Sequence, residues 1–359
     1  MFKKNNQSWI DKSPSNQVGE LVNRQVRGVK FEVYSKIMKK LITIPFMLMT
    51  IVYAICQEKV SQSLIPPIQY SVTTEINYAG NKNMAQTLDV YIPKNKKRKK
   101  LPVIVNIHGE NILWGNGDKM WGGDTPFLSY LLDGNYACVK INYRLSSESK
   151  WPAQLYDCKA AIRWIKANSD RFGFDKNKIA VQGELAGGHL ALMLGLTNNE
   201  KTMEGDLGNY LNEDSKINCI VSGFAPSDLK ELGGKEVETL LGGSIRKFIK
   251  EAQEASPINW VSNETQLPIY LYQGNAEKKV PMNQTNLLFN LLKDAKFKDI
   301  YYQKITNGSK RNLQRDLKVD KFISSTIEDF YKKYLLKQET EIKVSELSVK
   351  SALERGQRR

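Results

Sequence analysis

The chain has 359 residues, of which 41% are hydrophobic and 25% charged, enough for one large domain or two smaller ones with a sizeable core. This ordinary globular composition excludes disorder, collagen and coiled coil as the main class. The net charge of +15 raises the question of a nucleic-acid partner, and only two histidines, His108 and His189, are present for histidine-dependent chemistry.

The positive charge is concentrated at the two ends of the chain and in one internal run, residues 94–100 (KNKKRKK). Without that run, residues 60–330 are close to neutral. No helix-turn-helix pattern, Cys/His finger or aromatic-interleaved RNA-binding strand accompanies the charge. We therefore expect residues 94–100 to form a solvated loop and expect no nucleic-acid partner. Contact with nucleic acid or an anionic surface through this run is the alternative.

Residues 1–37 are polar and basic and show no apolar periodicity, whereas residues 41–56 contain no charge and follow Lys39 and Lys40. An apolar stretch of this length is short for a membrane span and typical of a secretory signal, which predicts a signal peptide over 38–57. We hypothesise that translation begins at Met38 and that residues 1–37 are a start-site artefact. The alternative is a short membrane anchor through 41–56. Both predict a secreted, periplasmic or envelope-associated protein.

Apolar alternation predicts an antiparallel hairpin of edge strands at 70–77 and 86–92. Further along, buried-strand runs alternate with segments of helical periodicity, which predicts an α/β fold with a mostly parallel, doubly wound sheet. The predicted strands are 102–108, 136–143, 178–182, 217–223, 268–273 and 299–305. The predicted helices are 126–132, 152–171, 187–196, 282–295 and 320–336, with short helices within 224–262. Residues 337–359 are predicted to be a polar tail.

The segment 183–191 (GELAGGHLA) follows a short apolar strand and opens a helix, which is the context of a nucleophile elbow, Gly-x-Ser-x-Gly. Upstream, strand 102–107 ends in His108, Gly109 and Glu110, at the position of the His-Gly-Gly-Gly loop that supplies oxyanion donors. The carboxyl ends of parallel strands meet at one edge of a sheet, where ligands bind. A candidate site is therefore expected at that edge.

These motifs, together with FAPSDL (224–229), SPINWVSNE (256–264) and QGNAEKKVP (273–281), resemble those of bacterial-type carboxylesterases of the alpha/beta-hydrolase superfamily. That group includes feruloyl, acetylxylan and hormone-sensitive-lipase-like esterases, and the resemblance covers about residues 70–336. It implies an alpha/beta-hydrolase domain over 65–336 with a small helical cap region. It also implies a small ester or carbohydrate-derived ligand, and neither a cofactor nor a metal.

The chain departs from the family at the catalytic positions, which carry Ser, an acid and His in the resembled enzymes. Leu185 occupies the nucleophile position between Gly183 and Gly187, Glu277 the acid position and Lys310 the histidine position. Leucine has no nucleophilic atom, and a lysine amine has a reference pKa about 4 units above that of imidazole. No histidine follows residue 189, so the chain lacks the usual general base.

Backbone N–H groups of Gly109, Glu110 and Ala186 are the expected oxyanion donors, and the Glu110 carboxylate would repel a developing oxyanion. We interpret His108 and His189 as structural and Glu184 as an ordinary residue of the elbow. The sequence thus predicts a catalytically impaired carboxylesterase-family protein, a ligand- or partner-binding pseudoenzyme. The alternative is an active ester hydrolase that uses a displaced serine with Lys310 as base.

Overall fold

Runs of apolar residues form one nine-stranded sheet in the part of the chain described by the computed structural model, residues 70–109, 133–313 and 315–349. The chain divides into two units, Met1–Pro67 and Ile68–Arg359, and every described residue belongs to the second. The leader 1–37, the signal or anchor segment 38–57 and the predicted helix 126–132 lie outside the described residues. Among the described helices, none has the length and apolar character needed to cross a membrane.

The sheet is mostly parallel, with the strand order β1-β2-β4-β3-β5-β6-β7-β8-β9. Its strands are β1 (Tyr70–Asn77), β2 (Thr87–Pro93), β3 (Leu101–Ile107), β4 (Ala137–Ile141), β5 (Phe174–Glu184), β6 (Cys219–Gly223), β7 (Ile269–Gly274), β8 (Ile300–Thr306) and β9 (Leu347–Ser348). Strand β2 pairs antiparallel with β1 and with β4, and all other pairs are parallel. This confirms the predicted parallel sheet with an antiparallel N-terminal hairpin.

Helices connect the strands and cover the sheet. They are α1 (Ala153–Ala167), α2 (Ser169–Phe172), α3 (Ala186–Leu196), α4 (Leu229–Leu232), α5 (Gly234–Leu241), α6 (Ile249–Glu254), α7 (Met282–Asp294), α8 (Lys310–Leu313) and α9 (Leu317–Tyr334). Short 3-10 turns lie at Met84–Gln86, Lys201–Met203 and Pro257–Trp260. The predicted helix 152–171 is divided at Asn168 into α1 and α2. The irregular segment 224–262 forms short helices, as predicted.

Strand β9 corrects the prediction that residues from 337 onward form only a polar tail. Leu347 pairs with Ile305 and Ser348 with Thr306, which adds a short parallel strand beside β8. Val349 is buried, and its N–H donates to the Thr306 carbonyl at 3.0 Å. Two paired residues are too few to produce a sequence periodicity, so this strand could not be predicted from the sequence.

The central strands are buried on both faces, which explains their continuous apolar runs. Every residue of β3, β4, β6 and β7 is buried, and so is every residue of helix α3. Removal of this apolar surface from water is the main favourable term in folding. The buried helix α3 is thereby fixed on the sheet, directly after β5.

An ion pair between a buried carboxylate and a half-buried guanidinium ties helix α1 to the segment that follows β4. The Arg144 guanidinium donates through Nε and Nη2 to Asp157, with an Nη2–Oδ1 distance of 2.8 Å. The Arg144 N–H and the Gln86 side-chain amide also donate to the same carboxylate, at 2.8 Å and 2.7 Å. The Asp157 side chain is fully buried, so this charge depends on these partners.

His189 joins helix α3 to the end of helix α6. Its Nε2 lies 2.7 Å from the carbonyl oxygen of Ala255, and the side chain is fully buried. Burial disfavours the charged imidazolium and lowers the pKa of His189 from 6.5 to about 4. The imidazole is therefore neutral near pH 7, and as the neutral ring it donates from Nε2 to the carbonyl.

Removing the buried carboxylate of Asp157 should destabilise the domain strongly, because it leaves the half-buried Arg144 guanidinium, the Arg144 N–H and the buried Gln86 amide without their acceptor. We expect Asp157→Ala to lower the free energy of unfolding by about 3–5 kcal/mol. The matched control is Asp170→Ala, which removes a carboxylate that is 90% exposed and pairs with Lys100 at 3.0 Å. The control should lose less than about 1 kcal/mol. Similar losses in both variants, measured by denaturant unfolding, would contradict this account.

His189 should make folding weaker in acid. In the unfolded chain His189 binds a proton near pH 6.5, whereas in the folded chain it binds one only near pH 4. The contribution of the neutral ring to the free energy of unfolding is therefore fully present above pH 6.5 and is lost as the pH falls from 6.5 to 4. The loss should reach about 3 kcal/mol near pH 4. His189→Gln, which keeps an N–H donor without titrating, should flatten this part of the curve of unfolding free energy against pH. Parallel curves for the two proteins would show that His189 does not titrate in this way.

Candidate functional site

The sharp turn between β5 and α3 has the geometry of a nucleophile elbow, with a leucine at its centre. Leu185 has φ 52° and ψ −120°, and its N–H donates to the Gly223 carbonyl at 2.9 Å. A positive φ at a residue with a side chain is strained by about 1–3 kcal/mol. The Leu185 side chain is only 4% exposed. The structure thus retains the strained turn and places a buried apolar side chain where the resembled enzymes carry the attacking hydroxyl.

Close backbone approaches around this turn require glycine at three predicted site positions. A Cβ on Gly187 would lie 2.1 Å from the Ile107 carbonyl oxygen, and one on Gly183 would lie 2.4 Å from the Gly187 carbonyl carbon. A Cβ on Gly109 would lie 1.8 Å from the Glu184 carbonyl oxygen. Gly109, Gly183 and Gly187 therefore meet where β3 and β5 end. Ala186, the first residue of α3, is buried beside them, and Glu110 lies outside the described residues.

The loops after β7 and β8 bring Glu277 and Lys310 together. Ala276 donates its N–H to the Gly308 carbonyl at 2.8 Å, which holds the two loops side by side. The Glu277 carboxylate then accepts the backbone N–H of Lys310 at 3.2 Å and that of Lys279 at 3.0 Å. The acid position and the histidine position of the resembled enzymes are thus direct neighbours in this chain.

The Lys310 side chain reaches across the site to the oxyanion loop and the elbow. Its Nζ donates to the Gly109 carbonyl at 3.0 Å and lies 3.5 Å from Oε2 of Glu184. Both ion-pair partners are largely covered, with 21% and 25% of their side chains exposed. Lys310, which follows β8, therefore links the segment that follows β3 to the last residue of β5.

Glu184 and Tyr272 belong to this cluster, although Glu184 was predicted to be an ordinary residue of the elbow and Tyr272 was not among the predicted site residues. The Tyr272 hydroxyl donates to Oε1 of Glu184 at 2.8 Å. Burial, and then the negative charge of Glu184, raise the pKa of Asp320 on helix α9. The sequence could have indicated Tyr272 only by its position, because it lies near the carboxyl end of a buried parallel strand, where ligands bind on such sheets.

Both histidines make contacts that suit the structural interpretation. His108 stacks on Tyr143 with 4.4 Å between ring centroids, and the Tyr143 hydroxyl donates to the His108 carbonyl at 3.0 Å. His189 bonds through Nε2 to Ala255. Across residues 70–109, 133–313 and 315–349, no group of three or more His, Cys, Asp and Glu side chains could hold a metal ion.

Within the described residues, the elbow position carries no nucleophilic side chain, and polar groups surround it. It offers carboxylates at Glu184 and Glu277, an ammonium at Lys310 and a phenol at Tyr272, which are hydrogen-bonding groups suited to a polar ligand. The elbow leucine can contribute only apolar contact.

Comparison with known proteins places this chain in a family of esterases. The family model BD-FAE matches residues 88–292, more than half of the chain. Esterase LipC of Mycobacterium tuberculosis is 28% identical over 226 residues, which cover 61% of this chain and 55% of that protein. The probable carboxylic ester hydrolase LipM of the same organism is 26% identical over 245 residues, which cover 66% of this chain and 55% of that protein. The chain thus spans about half the length of these curated relatives.

Solved structures show the same fold. A truncated form of a carbohydrate esterase from gut microbiota superimposes with a TM-score of 0.66 at 27% sequence identity, covering 74% of this chain and 98% of that one. The apo form of Thermogutta terrifontis esterase 2 gives a TM-score of 0.59 at 20% identity, covering 75% and 96%. These matches confirm the predicted alpha/beta-hydrolase fold and the resemblance to esterases. The chain belongs to the BD-FAE family, within the esterase group of alpha/beta-hydrolases.

Proposed function

We propose that this protein is a carboxylesterase-family pseudoenzyme, impaired in ester hydrolysis, that uses the retained site to bind a ligand or partner. The observation that carries the proposal is Leu185 at the centre of the elbow. Acyl transfer in this family's chemistry begins with attack by a side-chain nucleophile, and leucine has none. The elbow conformation is kept while its reactive atom is absent.

The contacts of Lys310 support the same proposal. Its Nζ donates to a carbonyl and pairs with a carboxylate, so both of these contacts use Nζ as a hydrogen-bond donor. A general base must instead accept a proton, which needs the neutral amine. Glu277 accepts two backbone N–H groups, so its carboxylate holds the loop and does not orient a histidine.

The ligand class follows from the relatives and from the groups at the site. Relatives are named as esterases, and one similar structure as a carbohydrate esterase. Glu184, Glu277, Lys310 and Tyr272 together offer hydrogen-bond acceptors and donors for hydroxyl groups. A small ester or carbohydrate-derived ligand is therefore the proposed occupant, and no cofactor is invoked.

An active hydrolase with a displaced nucleophile is the second candidate, because the curated relatives are named as esterases. Two buried serines near the carboxyl end of β6 are engaged elsewhere. The Ser222 hydroxyl donates to the Gly188 carbonyl at 3.1 Å, and the Ser227 hydroxyl donates to the Gln284 carbonyl at 2.7 Å. Neither contact activates a hydroxyl, since activation needs an adjacent base that accepts its proton.

Restoring the serine and the histidine of the resembled enzymes should show which catalytic group this protein lacks. Leu185→Ser alone should give little esterase activity, because a serine without a base stays protonated. Leu185→Ser combined with Lys310→His should exceed the single variant by about 100-fold or more in kcat for a p-nitrophenyl ester, since a positioned base contributes about 10²–10⁴-fold. The matched control is Leu185→Ser with Lys310→Gln, which has no base at residue 310. Robust turnover by Leu185→Ser alone would show that another group serves as base.

Labelling with a fluorophosphonate separates the two candidates, because this reagent reacts with activated serines. We expect no labelled serine in the natural sequence and labelling at residue 185 in the variant that combines Leu185→Ser with Lys310→His. Peptide mapping by mass spectrometry identifies the modified residue. A serine near the site that is labelled in the natural sequence, and whose replacement by alanine abolishes ester hydrolysis, would overturn the pseudoenzyme proposal.

A further inference from the structure

A basic loop lies at the edge of the sheet opposite the candidate site. The loop, residues 94–100, connects the end of β2 to the start of β3. The site groups follow the carboxyl ends of β3, β5, β7 and β8, whereas this loop precedes β3. The positive charge that the proposed function leaves unexplained is therefore separated from the site by the length of the parallel strands.

The loop is held in a defined conformation by its neighbours. Lys97 donates its N–H to the Gly134 carbonyl at 2.9 Å, and Leu101 donates its N–H to the Gly173 carbonyl at 2.8 Å. Gly134 has φ 68°, and a Cβ there would lie 2.2 Å from the Asn95 carbonyl oxygen. The basic loop is thus packed against two glycine turns while its lysines extend outward.

Four lysines of the basic loop are exposed and unpaired within the described chain. Lys100 pairs with Asp170, but no ion pair engages the other four among residues 70–109, 133–313 and 315–349. These four lysines are Lys94, Lys96, Lys97 and Lys99. Exposed Arg171 adds another cation beside the Gly173 turn. Uncompensated charge of one sign on a fixed surface attracts an anionic partner.

The start of β1 lies at the same edge as the basic loop, because Tyr70 pairs with Pro93, the residue before the loop. The sequence before residue 70 contains the apolar segment 41–56, which is predicted to be part of a signal peptide or a membrane anchor. An apolar segment together with a polybasic patch is the combination that gives stable membrane association.

We propose that the basic loop docks this domain on an anionic lipid bilayer, with the candidate site at the far edge of the sheet directed away from the lipid. Lipid is favoured over nucleic acid because the loop itself contains no aromatic residue and the rings of Tyr136 and Phe172 beside it are buried and cannot stack on bases. The half-buried rings of Tyr70 and Tyr91 pack edge to face on each other. Tyr136 is 1% exposed and Phe172 is 8% exposed. Electrostatic attraction to anionic headgroups needs no aromatic platform.

The test measures binding of the purified full chain to vesicles of phosphatidylcholine alone or with 30% phosphatidylglycerol, by co-sedimentation. Binding to the neutral vesicles measures the contribution of apolar segments. The additional binding to the anionic vesicles measures the contribution of electrostatic attraction. Replacing Lys94, Lys96, Lys97 and Lys99 by Gln should weaken binding to the anionic vesicles at least tenfold, because each lysine near such a surface contributes about fivefold at low ionic strength. The charge-dependent part should also fall steeply with added salt.

Two matched variants control for folding and for net charge. Replacing the same four lysines by Arg keeps the charge and should keep binding. Replacing exposed Lys230, Lys235, Lys247 and Lys250, which lie in the segment between β6 and β7, by Gln removes the same charge elsewhere and should also leave binding unchanged. Equal binding to both vesicle compositions, or equal losses from the two sets of Gln substitutions, would overturn the proposal. Tighter binding of duplex DNA than of anionic vesicles at the same salt, lost on neutralising the basic loop, would overturn it in favour of nucleic acid.

Discussion

The contact between backbones at the ends of β3 and β5 is the constraint on which the candidate site depends. Glycines at 109, 183 and 187 allow the oxyanion loop, the end of β5 and the start of α3 to approach more closely than any Cβ permits. This close approach goes together with the positive φ at residue 185. Leu185 adopts this strained conformation although its side chain carries no reactive atom that the conformation could expose. The fold therefore preserves the geometry of an elbow independently of whether the elbow carries a nucleophile.

Charged and polar side chains occupy the surroundings of that elbow in a connected arrangement. Lys310 contacts the Gly109 carbonyl and the Glu184 carboxylate, and Tyr272 donates to the same carboxylate. Glu277 accepts the N–H of Lys310, so both catalytic positions that follow the elbow in the sequence now hold neighbouring segments together. These contacts join the segments at the carboxyl ends of β3, β5, β7 and β8 and engage the polar side chains around the elbow with one another.

The order of strands and helices could be predicted from the sequence because their apolar runs are long and their connections short. The elbow could be located because its glycine-rich motif has a fixed spacing, and residue 185 has the strained conformation of such a turn. Glu277 and Lys310 were predicted from the resemblance to esterases, and the structure brings these two residues into contact. The pairing of Lys310 with Glu184 could not be predicted, since the two residues lie 126 positions apart and become neighbours only when β5 and β8 join one sheet. Strand β9 escaped prediction for a related reason, because its two residues are defined by pairing with β8 and have no periodicity of their own.

The most direct test of the central claim is the initial rate of hydrolysis of p-nitrophenyl butyrate by the unmodified protein, measured against substrate concentration and compared with Leu185→Ala. If the site lacks an attacking group, removing the leucine side chain changes nothing chemical, and both proteins should show only slow hydrolysis with closely similar rates. Saturable turnover by the natural sequence with kcat within the range of ordinary enzymes, about 1–10³ s⁻¹, would contradict the account.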